Sequence, residues 1–225
     1  MREGRAVAAA PDVATSRDGE VDRQWLATLQ RLTSGVAHEL RNALNGVAVN
    51  LEVVRSRAGR EGLAASALGS FAGSASDQLE QVIVMTDALM ALARAGHEPP
   101  PIGRTTDQVA ALVRPTLVAN GGALDLMVEG EGTTRVPAVA ARLFIAATIL
   151  AAVQAARETD GAKVSGASLS CRVRPASGKE RGVELRVEGA FARMPALDTT
   201  LETLAKDYGV GVQPAERSIT STFPA

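Results

Sequence analysis

A long apolar stripe constrains this chain more than any other feature of its sequence. Between residues 29 and 54, apolar side chains recur at steps of three and four residues, the spacing of one face of an α-helix. They are Leu29, Leu32, Val36, Leu40, Leu44, Val47, Leu51 and Val54. A second stripe consists of Leu68, Phe71, Ala75, Leu79, Val82, Met85, Leu89 and Leu92. The sequence therefore predicts two long amphipathic helices, joined by a glycine-containing turn at residues 59–62.

Two antiparallel helices with one apolar face each cannot enclose a core on their own. A second copy of the hairpin would supply the two missing helices, so we expect a homodimer built around a four-helix bundle. We assign residues 21–95 to this hairpin. Residues 1–20 lack the apolar segment of a signal peptide, and we expect them to form a disordered tail.

His38 lies almost opposite the mean direction of the first stripe, at about 100° of rotation per residue. A histidine that packs in a core would lie within the stripe. We therefore expect an exposed imidazole, available as a nucleophile. The polar and apolar residues that share its outer face or flank it are Glu39, Arg41, Asn42, Asn45 and Val49.

The run from His38 to Asn42 reads His-Glu-Leu-Arg-Asn. It resembles the phospho-acceptor box of two-component histidine kinases, whose pattern is His-Glu-(Leu/Phe)-Arg-(Asn/Thr)-Pro. Ala43 stands where that family has proline, so the helix should be straighter here while the acceptor chemistry is unaffected. The predicted hairpin likewise resembles the dimerisation and histidine-phosphotransfer domain of those kinases.

The pattern changes after the hairpin. Residues 96–104 include three consecutive prolines and are expected to form a stiff linker. In residues 105–225, helical segments alternate with hairpin-connected strands, which predicts a two-layer α/β sandwich and an α+β fold for the whole chain. Thr106 or Asp107 is expected to cap the first helix of this domain. The order of elements resembles the ATP-binding domain of histidine kinases.

The groups that hold the nucleotide in that family have no counterparts here. The two asparagines that bind Mg²⁺ fall on Ala147 and Ala151, and the Asp-x-Gly-x-Gly loop falls on Gly189, Phe191 and Arg193. Residues 198–202 replace the second glycine-rich loop. A methyl group binds neither Mg²⁺ nor phosphate. The sequence thus predicts no ATP binding and no resident cofactor.

A chain that keeps the acceptor histidine and lacks the ATP site resembles the dimeric histidine phosphotransferases of phosphorelays. The resemblance implies that His38 passes a phosphoryl group to or from the aspartate of response-regulator receiver domains, which supply the Mg²⁺. Glu39 would orient the imidazole or take its proton. The residues expected to contact the receiver are Arg41, Asn45, Val49 and Val53.

Two alternatives use the same helical face. Asn42 lies one turn after His38, where the kinase family positions a water molecule that dephosphorylates the partner. A chain that used Asn42 in this way would be a receiver phosphatase. The other alternative is a non-catalytic regulator that binds a receiver, with no chemical role for His38.

The charge and the cysteine content limit which partners and which cellular compartment we expect. The formal charge of −1 argues against nucleic acid as the main partner, because binding to phosphate backbones needs a basic surface. A single cysteine, Cys171, fits a reducing cytoplasm. We find no apolar run that approaches the roughly 18 to 20 residues of a membrane span. A cytoplasmic protein without a membrane partner is expected.

Overall fold

The computed structural model describes residues 13–58, 65–94, 96, 98, 101–130, 132–157, 168–176 and 182–225. Five helices and five strands follow one another along these residues. They are α1 (Val13–Arg57), α2 (Ala65–Ala93), α3 (Ile102–Ala119), β1 (Ala123–Val128), α4 (Ala138–Arg157), β2 (Ser168–Pro175), β3 (Gly182–Gly189), α5 (Thr199–Asp207), β4 (Gly211–Ala215) and β5 (Ser218–Pro224).

The five strands form one sheet in the order β1-β2-β3-β5-β4. β1 and β2 are parallel, whereas the other pairs are antiparallel. Alternate side chains such as Leu169, Cys171 and Val173 of β2 are buried beneath the helices. α3 packs on β1, and α4 packs on β3 and β5. The predicted α+β fold, a helical hairpin followed by a two-layer α/β sandwich, is confirmed.

α1 and α2 pack along each other as the predicted hairpin. Its interior includes the buried side chains of Leu32, Val36 and Met85. One polar contact interrupts this apolar seam. The Gln78 side chain lies over Gly46, where a Cβ atom would overlap the Gln78 amide. Asn50 donates a hydrogen bond from Nδ2 to Gln78 Oε1 at 3.2 Å.

Each predicted stripe contains a buried part and an uncovered part. Half or more of the side chain is exposed at Leu44 (50%) and Leu51 (53%). We call the exposed set on both helices the uncovered apolar face, and it comprises Leu26, Leu44, Leu51, Leu79, Ile83 and Met90. At about 100° per residue, α1 and α2 turn this face to the same side of the hairpin, away from the side on which α3 packs.

α1 begins at Val13, whereas the sequence pattern predicted a disordered tail up to residue 20 and a helix from residue 21. Two early side chains have distant partners. Tyr208 donates a hydrogen bond from its hydroxyl to Asp18 Oδ1 at 2.6 Å, and the Arg17 guanidinium lies 4.8 Å from the centre of the Tyr208 ring. Contacts between residues so far apart in sequence leave no local pattern. Residues 1–12 of the predicted tail lie outside the described residues.

α3 begins at Ile102, inside the predicted linker of residues 96–104. The predicted cap at Thr106 or Asp107 is therefore wrong. Thr106 is buried within the helix, and its hydroxyl donates to the Ile102 carbonyl at 2.8 Å. Ile102 is fully buried, so hydrophobic packing favours starting the helix directly after Pro101.

The expectation that no segment is long and apolar enough to cross a membrane overlooked α4. Ala138–Ala156 has a mean hydropathy of 1.9, and it is the one such segment among the described residues. However, 78% of this window is buried inside the protein. Burial of this extent is what a core helix requires.

Candidate functional site

His38 lies in the middle of α1 and is exposed, as predicted. Asn42, Asn45 and Val49 are exposed on the same side of the helix, and 63% of Val49 is accessible. We call these four residues the outer face of α1. Within the described residues, the exposed His38 imidazole has no hydrogen-bond partner. This arrangement leaves an accessible nucleophile on a rigid helix.

The two residues that flank the outer face near His38, Arg41 and Glu39, differ in exposure and in direction. Arg41 is exposed about 60° from His38 around the helix, whereas Glu39 is half-buried about 100° to the other side. Glu39 makes no hydrogen bond to the imidazole, as expected for consecutive helical residues, which do not face each other. Val53 was predicted to contact the receiver, but it is half-buried because it turns towards the hairpin interior.

Helix α1 continues without interruption through Ala43, the position of the proline in the kinase box. Ala43 itself is buried. Alanine keeps the backbone N–H that proline lacks, so the helical hydrogen-bond pattern can pass through this position. His38 and Asn42 therefore lie on one continuous helix, one turn apart.

A cavity of about 340 Å³ lies between α1, α4 and the segment that leads into α5. We call it the α4 cavity. Ala147 and Ala151 line it from α4, and Arg193 and Asp198 line it from the segment before α5. These residues were aligned by sequence with groups that hold a nucleotide, and the structure brings them together. Asp198 is engaged as a helix cap, because its Oδ1 accepts a hydrogen bond from the Leu201 amide at 2.9 Å.

The other two aligned positions do not line the cavity. Gly189 ends β3, and a Cβ atom there would crowd the side chains of Leu169 and Phe191. A carboxylate at position 189 could not be added without moving these neighbours. Phe191 instead borders a separate surface pocket with Met194 and Arg217.

Two residues of α1 complete the α4 cavity, and sequence reasoning missed both. They are Thr28, which is buried, and Arg31, which is exposed. Arg31 precedes His38 by seven residues, so it lies about 10 Å away along the axis and close to the same side of the helix. The seven-residue spacing was visible in the sequence. Contact with α4 was not, because it depends on how the α/β domain packs against α1.

Two buried titratable groups of the described chain lie outside these regions, Cys171 and Arg142. Burial raises the pKa of the Cys171 thiol to about 12, so almost no thiolate forms at neutral pH. Loss of hydration on burial lowers the pKa of Arg142, whose Nη1 donates to the Arg94 carbonyl at 2.8 Å. Over the described ranges, no three His, Cys, Asp or Glu side chains converge as metal ligands.

No protein-family model and no curated protein matches the chain. Solved structures with a similar arrangement include three histidine kinases. The Erythrobacter litoralis EL346 blue-light activated histidine kinase is 15% identical over 91% of this chain and 60% of its own, with a TM-score of 0.37. Acinetobacter baumannii AdeS is 13% identical over 83% and 97% (TM-score 0.40). The mycobacterial sensor histidine kinase MprB is 11% identical over 57% and 97% (TM-score 0.41).

The chain thus spans 60% of the length of the first of these kinases. All three identities are at most 15%, and all three TM-scores are at most 0.41.

Proposed function

We propose that this chain is a histidine phosphotransferase of a two-component phosphorelay, with His38 as the phosphoryl carrier. The observation that carries the proposal is the exposure of His38 on the outer face of α1, with Asn42, Asn45 and Val49 beside it. This face points away from the hairpin interior and from the uncovered apolar face. A receiver domain can approach it without displacing either surface.

The proposed reaction needs few groups. Neutral imidazole Nε2 of His38 attacks the phosphorus of a receiver's aspartyl phosphate, the P–O bond to the aspartate breaks, and the aspartate leaves as a carboxylate. The imidazolium product loses its Nδ1 proton to solvent. Glu39 makes no hydrogen bond to the ring in this structure, so it could take that proton only after a change of its side-chain rotamer on receiver binding. The receiver brings the Mg²⁺. The exposed side chains of Arg41, Asn45 and Val49 contact the receiver surface.

We also propose that the protein is a homodimer, and the uncovered apolar face supports this assembly. Both helices of the hairpin contribute to the face, which includes half-exposed Leu44 and Ile83. Monomeric proteins rarely leave a large continuous apolar patch in water. A second copy would pack there and complete a four-helix bundle, because α3 and the outer face lie on other sides of the hairpin.

We expect no ATP binding at physiological nucleotide concentrations. The positions that would carry amides for Mg²⁺ are alanines in the α4 cavity, and residues 189–193 and 198–202 lack the glycine-rich patterns of the phosphate loops with which they were aligned. The sequence Asp-x-Gly-x-Gly does occur at residues 207–211, but it joins α5 to β4 and does not line the cavity. Titration calorimetry with Mg-ATP should give no saturable heat. Saturable binding in the micromolar range, or autophosphorylation from labelled ATP, would refute this expectation and favour a kinase.

Asn42→Ala separates the relay from the two alternatives. A relay transfers label from a phosphorylated receiver to this chain. The label on the chain should be lost in acid and retained in alkali, because it is held by a phosphoramidate bond. Asn42 is exposed, so its replacement should leave the fold intact and transfer within about threefold of wild type. If wild type only releases free phosphate and Asn42→Ala abolishes that release, the chain is a phosphatase. If the receiver binds and keeps its phosphate, sequestration is the function.

A further inference from the structure

α1 is much longer than its partner in the hairpin. It has 45 residues, whereas α2 has 29, and the two are joined by a short connection at the C-terminal end of α1. About the first sixteen residues of α1 therefore extend beyond the end of α2. We call residues 13–28 the strap. Among the described residues of the hairpin, α2 ends before it could cover the strap.

The strap is nevertheless buried on one side. Val21 is 3% exposed and Thr28 is 6% exposed. Trp25 packs against the same hydrophobic cluster, which continues into the α/β domain. Both α4 and α5 contact α1. Thr28 lines the same cavity as residues of α4, and Glu20 lines a surface pocket with residues of α5. The strap thus packs against the α/β domain, and its Thr28 closes one wall of the α4 cavity.

Polar contacts fix the strap at its beginning. The Tyr208 hydroxyl donates to Asp18 at 2.6 Å, and Arg17 stacks on the Tyr208 ring. Burial and the Asp18 carboxylate together raise the pKa of Tyr208 to about 12, so the phenol keeps its proton at neutral pH. It therefore remains a hydrogen-bond donor across the physiological range.

A second polar contact, a hydrogen bond, joins the α/β domain to α2, the other helix of the hairpin. Arg142 of α4 is mostly buried and donates from Nη1 to the carbonyl of Arg94, just after the end of α2. Such a bond places a positive charge at the negative end of the α2 dipole, which is favourable. The α/β domain is therefore held to α1 and to α2 at two separate places.

We propose that the strap locks the α/β domain onto the hairpin, so that the chain behaves as one rigid body and the α4 cavity stays closed on its α1 side. The lock does not depend on the chemistry of His38. In a locked chain no domain swings across the outer face of α1, and His38 is presented to partners at all times.

Cysteine accessibility tests the lock. Val21→Cys places a thiol in the covered side of the strap, and Asp22→Cys places one on the exposed side of the same turn. The native Cys171 is buried, with a pKa raised to about 12, and should not react. In a locked chain, a maleimide should modify Cys at position 21 at least about 100-fold more slowly than at position 22, because access requires an opening event. Rates within threefold of each other would overturn the proposal.

Tyr208→Phe gives the matched loosening variant. It removes the hydroxyl that bonds Asp18 and keeps the ring under Arg17. The modification rate at position 21 should rise about fivefold, the effect of losing one hydrogen bond, while the rate at position 22 stays constant. An equal rise of the modification rate at both positions would indicate general unfolding. It would contradict the proposal that the Tyr208 hydrogen bond holds the strap locally.

Tryptophan fluorescence of the unsubstituted chain is a second test of the lock, and it applies even if Val21→Cys fails to fold. Trp25 is the single tryptophan of the chain and lies in the strap. A locked strap should give a blue-shifted emission and an acrylamide quenching constant below about half that of free tryptophan, since the indole is shielded from solvent. Quenching equal to that of free tryptophan in the folded protein would refute the lock.

Discussion

Replacing His38 by glutamine is expected to abolish labelling of this chain by a phosphorylated receiver. Glutamine keeps a polar side chain of similar length but has no ring nitrogen that can attack phosphorus. Labelled chain should fall by at least about 1,000-fold, to background, because covalent transfer has no substitute nucleophile on the outer face. The measurement is retention of label after transfer, with stability to alkali and loss in acid.

The His38→Gln variant should remain folded. His38 is exposed and has no hydrogen-bond partner within the described chain, so the free energy of unfolding should change by under about 0.5 kcal/mol. Lys206→Gln is the control, because it changes an exposed charged side chain of α5 that takes no part in the proposed receiver contact, and it keeps the nucleophile. It should still accept label. Labelling of His38→Gln at the wild-type rate would exclude His38 as the carrier.

The double variant Leu44→Glu and Ile83→Glu is expected to convert the dimer into a folded monomer. The two side chains belong to α1 and α2, and both are about half exposed in a single chain. In the proposed dimer they would be buried, so each copy would place two unpaired carboxylates in an apolar interface. We expect the dissociation constant to rise by at least about 1,000-fold, measured by light scattering or analytical ultracentrifugation.

Val49→Glu is the control for added charge. Val49 is the more exposed side chain, at 63%, but it lies on the outer face of α1. Its substitution should leave the mass of the particle unchanged. A wild-type chain that scatters as a monomer at micromolar concentration would refute the dimer. So would a double variant that remains dimeric.

The local patterns in the sequence were sufficient to predict most helices and strands. The spacing of Leu32 and Val36 gave the inner side of α1, and alternation at Leu169, Cys171 and Val173 gave β2. The direction of His38 also followed, because rotation around a helix is fixed by its geometry. A side chain opposite an apolar stripe is exposed unless another element covers it.

Features that depend on tertiary partners could not be predicted in this way. The early start of α1 is associated with Tyr208, which is 190 residues from Asp18. The early start of α3 accompanies complete burial of Ile102. Thr28 and Arg31 were missed because their role in the α4 cavity requires knowing which side of α1 meets the α/β domain. In each case the missing information was a contact between distant segments.

The contact of Gln78 with Gly46 and Asn50 has a consequence for how the two helices of the hairpin align. Apolar seams are repetitive, and a slide of one helix by a turn would bring similar aliphatic groups into contact again. The amide of Gln78 meets a glycine and an asparagine at only one height along α1. A slide would break the part-buried hydrogen bond between that amide and Asn50, a net loss of about 0.5 to 1.5 kcal/mol. Gly46 weakens the helix by up to about 1 kcal/mol relative to alanine. The contact that this glycine permits favours one register of α1 against α2, and it thereby favours one position of His38 along the hairpin axis.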